Sequence, residues 1–135
     1  MYDRFNRKIN YLRISVTDRC NLRCTYCMPA EGIELVRHKD ILSFEEIIQV
    51  VKTAVDYGIS KFRITGGEPL VRKGIIDLVR MIADEEGVED LSMTTNGALL
   101  DLFAGELANA VLNRVNISLD TMDPKRYREI TRVGN

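Results

Sequence analysis

Apolar and polar residues alternate with period two in four short stretches of this chain, the signature of strands that present one greasy and one polar face. In the first, Tyr11 to Val16, the residues Leu12, Ile14 and Val16 share a face opposite Arg13 and Ser15. In the second, Lys61 to Thr65, Phe62 and Ile64 oppose Arg63 and Thr65. In the third, Asp90 to Thr95, Leu91 and Met93 oppose Ser92 and Thr94, with Asn96 continuing the polar row. In the fourth, Arg114 to Leu119, Val115, Ile117 and Leu119 oppose Asn116, Ser118 and Asp120.

Between the strands the period changes from two to that of a helix. Ser43 with Glu46 three residues on forms a capping box, and Phe44, Ile47, Ile48, Val51, Ala54 and Val55 follow helical spacing until Gly58. A second helix is expected from Gly74 to Glu86, stopping at Gly87, and a third from Leu100 to Leu112. Asp123 caps a short fourth helix with Pro124 in its first turn. This strand, loop, helix rhythm predicts an α/β fold with a parallel sheet. A parallel sheet buried on both sides is apolar on both faces, and here one face of every strand is polar. The expected architecture is therefore a partial (β/α) barrel of about four βα units, helices covering the outer face and the polar face lining a cavity. The alternative is an ordinary doubly wound sheet with incidental polar residues.

Composition narrows the class without naming a chemistry. With 135 residues, 45% hydrophobic, 29% charged and a net charge of −1, the chain has the make-up of one globular domain and no bulk charge for nucleic acid or a membrane surface. Its first residues lack the apolar segment of a secretory signal, and no apolar run approaches the roughly 18 residues of a membrane span. Unpaired thiols together with a reducible metal group would place it in the cytoplasm.

The chemistry begins at Cys20, Cys24 and Cys27, all of the chain's cysteines, spaced Cys-x3-Cys-x2-Cys after the first strand. An odd number argues against a disulfide framework, and a closed structural zinc site wants four ligands. Three thiolates on one loop suit a [4Fe-4S] cluster with one iron left open for an outside chelator, most simply S-adenosylmethionine. Two other readings stay open: zinc completed by His38, the only histidine, and buried structural cysteines. On the polar face Arg13 and Arg63 need negative partners, because an unpaired buried guanidinium is costly. An anionic, phosphorylated ligand would supply them; inward Asp120 or loop carboxylates such as Glu68 are the alternative, and Glu68 could also simply cap its turn.

Cys20-x3-Cys24-x2-Cys27, with Tyr26 inside it, and Gly66-Gly67-Glu68-Pro69 at the end of the second strand resemble the cluster and methionine-binding motifs of the radical SAM superfamily. More narrowly, the segments Arg13 to Cys24, Arg63 to Leu70, Thr94 to Gly97 and Asn116 to Thr121 are similar to the molybdenum cofactor biosynthesis protein A family, the GTP 3',8-cyclases. The resemblance covers essentially the whole chain. It implies that Cys20, Cys24 and Cys27 hold the cluster, that Tyr26, Gly66, Gly67, Glu68 and Ser118 contact S-adenosylmethionine, and that Arg13, Arg63 and Thr94 contact GTP. It implies a lyase of molybdopterin synthesis in which an external one-electron reductant drives formation of a 5'-deoxyadenosyl radical. That radical takes the ribose 3' hydrogen of GTP, and the product passes to a downstream enzyme of the pathway. Another radical SAM enzyme, such as a peptide maturase or an activating enzyme, is the runner-up. Family members continue with further barrel units and a second cysteine trio. Residues 1–135 are accordingly read as the amino-terminal part of the barrel domain, without the carboxy-terminal cluster domain, not expected to convert GTP alone and expected to self-associate through an open sheet edge.

Overall fold

The computed structural model describes residues 2–134. Its sheet contains β1 (Tyr11–Ser15), β2 (Lys61–Thr65), β3 (Asp90–Thr95) and β4 (Arg114–Ile117), all parallel and in the order β1-β2-β3-β4. The helices are α1 (Phe44–Asp56), α2 (Ile75–Ala83), α3 (Leu100–Asn109) and α4 (Pro124–Thr131), with short 3-10 turns at His38–Asp40 and Pro69–Val71. Sequential strand order with right-handed crossovers puts every connecting helix on the same side. A doubly wound sheet reverses its strand order at a switch point; this one does not, and the one-sided arrangement expected from the alternation is the one observed.

The covered face is the core. Phe62, Ile64, Leu91 and Met93 of the sheet pack against Ile47 and Val51 of α1, Leu78, Val79 and Ile82 of α2, and Leu107 of α3, each at most 2% exposed. Each such side chain contributes roughly 1.5–3 kcal/mol on burial. The opposite face stays open: Arg13 is exposed, and Arg63, Thr65 and Thr94 are half-buried. In α1, Ser43 Oγ accepts from Glu46 N (3.2 Å) while the Glu46 carboxylate accepts from Ser43 N (2.7 Å). Ser43→Ala should lower stability by about 1 kcal/mol. A urea midpoint reads that change; an unmoved midpoint would deny the box its role.

β1 ends one residue early, at Ser15, α2 starts one late, at Ile75, with Gly74 as its cap, and three further boundaries differ from expectation for local reasons. The helix α2 ends at Ala83, where Asp84 caps it and the chain turns through Gly87 at φ 94°. The helix α3 ends at Asn109 because Val111 takes φ 62° and Leu112 N folds back to Leu107 O (3.1 Å). β4 stops at Ile117, although Ser118 N still reaches Thr95 O (2.9 Å). The apolar face of β4 was expected under a helix and is not: Val115, Ile117 and Leu119 are 37%, 55% and 50% exposed. The following helix, α4, is engaged elsewhere, at the carboxyl end of the sheet against the cysteine loop. Among the described strands, β1 and β4 each have one unpaired edge.

Candidate functional site

The cysteine loop leaves β1 through buried Val16 and Thr17, with Val16 N still donating to Thr65 O (2.9 Å). Buried Leu22 anchors its middle, and the Arg23 guanidinium donates to the carbonyls of Cys20 and Leu22, both at 2.8 Å. Cys27 N and Met28 N both donate to Cys24 O, at 2.9 and 3.2 Å, closing a tight turn between the last two thiols.

Beside this loop lies the turn after β2. Gly67 N donates to Thr17 O (2.7 Å) and Glu68 N to Arg19 O (2.8 Å), so two backbones run in contact. A Cβ at Gly66 would sit 2.5 Å from Thr17 O, and one at Gly67 would sit 2.3 Å from Arg19 O. The glycines are therefore required by the approach of turn to loop, before any ligand is considered.

Glu68 takes one of the roles that its sequence left open, the turn cap. Its carboxylate is fully buried, with Oε1 accepting from Leu70 N (3.0 Å) and Thr95 Oγ1 (2.8 Å) and Oε2 from Asn96 N (2.7 Å). It caps the Pro69–Val71 turn and ties it to the end of β3. Both oxygens face protein donors, so the side chain does not line the cavity, and neither arginine of the polar face pairs with it.

Where these segments meet, at the carboxyl ends of the strands, a cavity of about 180 Å³ opens. Cys20, Cys24, Cys27 and Tyr26 form one side of it. Gly66, Gly67, Thr94 and Ser118 form another, so eight residues singled out from sequence converge. The three thiols are free of disulfides. Cys20 Sγ accepts from Leu22 N (3.4 Å) and lies 3.9 Å from Asn96 Nδ2, which also donates to Asn21 Oδ1 (2.8 Å). Across the mouth the Tyr26 hydroxyl donates to Asp120 (2.9 Å), joining the loop after β1 to the segment after β4. That bond, with burial adding to it, pushes the Tyr26 phenol up. Burial pushes the Cys24 thiol up, and Cys20, Asp120 and Cys27 push the same way against a hydrogen bond from Tyr26. Soft thiol donors line one wall, with N–H groups aimed at a sulfur, and this donor chemistry suits an iron-sulfur cluster; among the described residues the side chains are not already drawn together into a three-donor metal site. His38 lines a different cavity, with Arg19 and Phe44, and supplies no fourth ligand here.

Arg13 and Arg63 are one step deeper. They face each other in register across β1 and β2, and the same rung continues through Ser92 and Arg114. Arg63 Nε donates to Ser92 Oγ (3.1 Å), and its guanidinium carbon lies 5.7 Å from the centre of the Tyr11 ring. Arg114 is ion-paired with Asp90. Among the described residues no carboxylate pairs with Arg13 or Arg63. Sequence reasoning missed Tyr127, which lines the cavity from α4 and carries no local signal, and left Asn96 unassigned although it continues the polar row of β3.

The family model described as the radical SAM superfamily matches residues 14–135. The chain is 60% identical to a GTP 3',8-cyclase of Thermodesulfovibrio yellowstonii, over 99% of this chain and 42% of that protein. It is 56% identical to one from Alkaliphilus oremlandii, over 100% of this chain and 42% of that protein. Crystal structures of Streptococcus suis SuiB, one bound to precursor peptide SuiA and one to S-adenosylmethionine, align with TM-score 0.71 and 26% identity. They cover 93% of this chain and 27% and 28% of SuiB. The chain thus spans about two-fifths of the curated relatives' length.

Proposed function

We propose, for a chain that belongs to the radical SAM superfamily, that residues 1–135 are the amino-terminal part of the barrel domain of a GTP 3',8-cyclase. The observation that carries the reading is the cavity where all three cysteines meet the Gly66-Gly67 turn, above the rung on which Arg13 and Arg63 have no carboxylate partner among the described residues. Identities of 56–60% to cyclases across the chain support it.

In this reading Cys20, Cys24 and Cys27 hold a [4Fe-4S] cluster. Bound there, the cluster would supply the electron, drawn from an external reductant, that splits S-adenosylmethionine into methionine and a 5'-deoxyadenosyl radical. The protein's own work is placement. Backbone groups of Tyr26, Gly66 and Gly67 and the hydroxyl of Ser118 surround the methionine-bearing ligand at the rim. Glu68 acts behind the wall, holding the turn and Asn96 where the cavity needs them. Thr94 and the guanidinium groups of Arg13 and Arg63 receive GTP, whose phosphates supply the negative charge those arginines lack. The cavity of about 180 Å³ is below the roughly 300–1,000 Å³ of typical ligand sites, in a chain that spans about two-fifths of its relatives' length.

The test uses the full-length protein, reconstituted without oxygen. Consumption of GTP coupled to cleavage of S-adenosylmethionine supports the reading; cleavage coupled only to a peptide would replace it with the peptide-modifying alternative, which the likeness to SuiB favours. Arg13→Ala and Arg63→Ala should each weaken GTP retention by roughly ten- to a hundredfold, the worth of one charged hydrogen bond. Affinity for S-adenosylmethionine should stay unchanged. Equal loss of both ligands would remove the arginines from the nucleotide site.

A further inference from the structure

We propose that Arg132 is a positioning residue for the cysteine loop, an inference that rests on the cluster reading above. The loop is held from two sides. Its first half, residues 17–19, is tied to the turn after β2 through Thr17 O and Arg19 O. Its second half, which carries Cys24 and Cys27, is held from the end of α4. Arg23 N donates to Thr131 O (3.0 Å) and Thr25 N to Ile130 O (2.9 Å). Arg132 Nη1 then donates to two carbonyls at once, Arg23 O (3.0 Å) and Met28 O (2.9 Å). Those carbonyls immediately precede Cys24 and immediately follow Cys27. One guanidinium therefore sets the distance between the two ends of the segment bearing both thiols, and a charged donor on each makes the brace stronger than a neutral one.

The backbone supports the same role. Arg132 takes φ 63° and ψ −35°, a region that L-residues rarely occupy. Such conformations persist where the surroundings demand them, and here the geometry delivers the side chain to the loop. Among the described residues no acid pairs with Arg132, and its hydrogen bonds there are the two to these peptide carbonyls.

The experiment compares wild-type full-length protein with Arg132→Gly and Arg132→Lys. Glycine accepts the positive φ and removes the brace, separating the guanidinium from the backbone it sits on. The readouts are iron and sulfide per chain after anaerobic reconstitution, the change in the reduced protein's EPR signal on adding S-adenosylmethionine, and the thermal midpoint of the metal-free protein. Arg132→Gly should lose the SAM-responsive signal by about tenfold, the usual scale for a residue supporting metal ligands. Its metal-free midpoint should not fall, and Arg132→Lys, able to reach one carbonyl, should recover part of the signal. A glycine variant that loads and responds like wild type overturns the proposal, as does a midpoint that falls in step with cluster loss. Wild-type protein that takes up no SAM-responsive cluster would instead overturn the reading of the site, which keeps the two failures apart.

Discussion

Replacing Cys24 by serine is expected to remove the SAM-responsive cluster and all turnover, with a loss of about four irons per chain. A serine alcohol has the size of the thiol but is a hard donor that does not ionise near neutral pH. No substitute stands by: the chain contains three cysteines, and His38 opens onto another cavity. Iron and sulfide analysis with EPR of the reduced protein decides the matter. A serine variant that keeps a four-iron centre responsive to S-adenosylmethionine would show that Cys24 is not a ligand.

Gly67→Ala should have the largest effect on stability. The added methyl would meet Arg19 O at 2.3 Å, Arg19 C at 2.7 Å and Asp18 O at 2.9 Å, all backbone atoms that cannot rotate away. The turn must back off, which also strains the hydrogen bonds from Gly67 N and Glu68 N to the loop. Overpacking plus weakened buried hydrogen bonds amounts to about 3 kcal/mol, and cluster loading should fail with it. Gly105, inside α3 with nothing within 4 Å, provides the internal control. There alanine should raise stability by up to about 1 kcal/mol, because it is the better helix former. Urea midpoints of the two variants moving the same way would sink the close-approach argument.

Both variants act at places that were legible to different degrees. The polar faces of β1, β2 and β3 followed from alternation alone, because each strand is half-covered and period two then reports which half. The capping box at Ser43 and the Asp123 cap, which accepts from Lys125 N and Arg126 N, are local and were equally readable. Glu68 was legible in part: its cap on Leu70 N is local, but its bonds to Thr95 and Asn96 depend on β3 pairing beside β2. The same alternation that worked elsewhere overestimated burial at β4. It identifies the apolar side of a strand, but whether a helix lies on that side depends on where α4 goes, and α4 goes to the loop. The Tyr26–Asp120 bond and the Arg132 brace join residues about a hundred positions apart. No local spacing announces such a contact.

The long reach of that brace sets an order of events during synthesis. A nascent chain presents its three thiols to the surroundings well before residues 130–132 have left the ribosome, so the second half of their loop is then without its hydrogen-bond partners. Metal delivered at that stage would meet a slack tether of oxidisable thiols. A cluster held as proposed would be loaded once translation has passed Arg132.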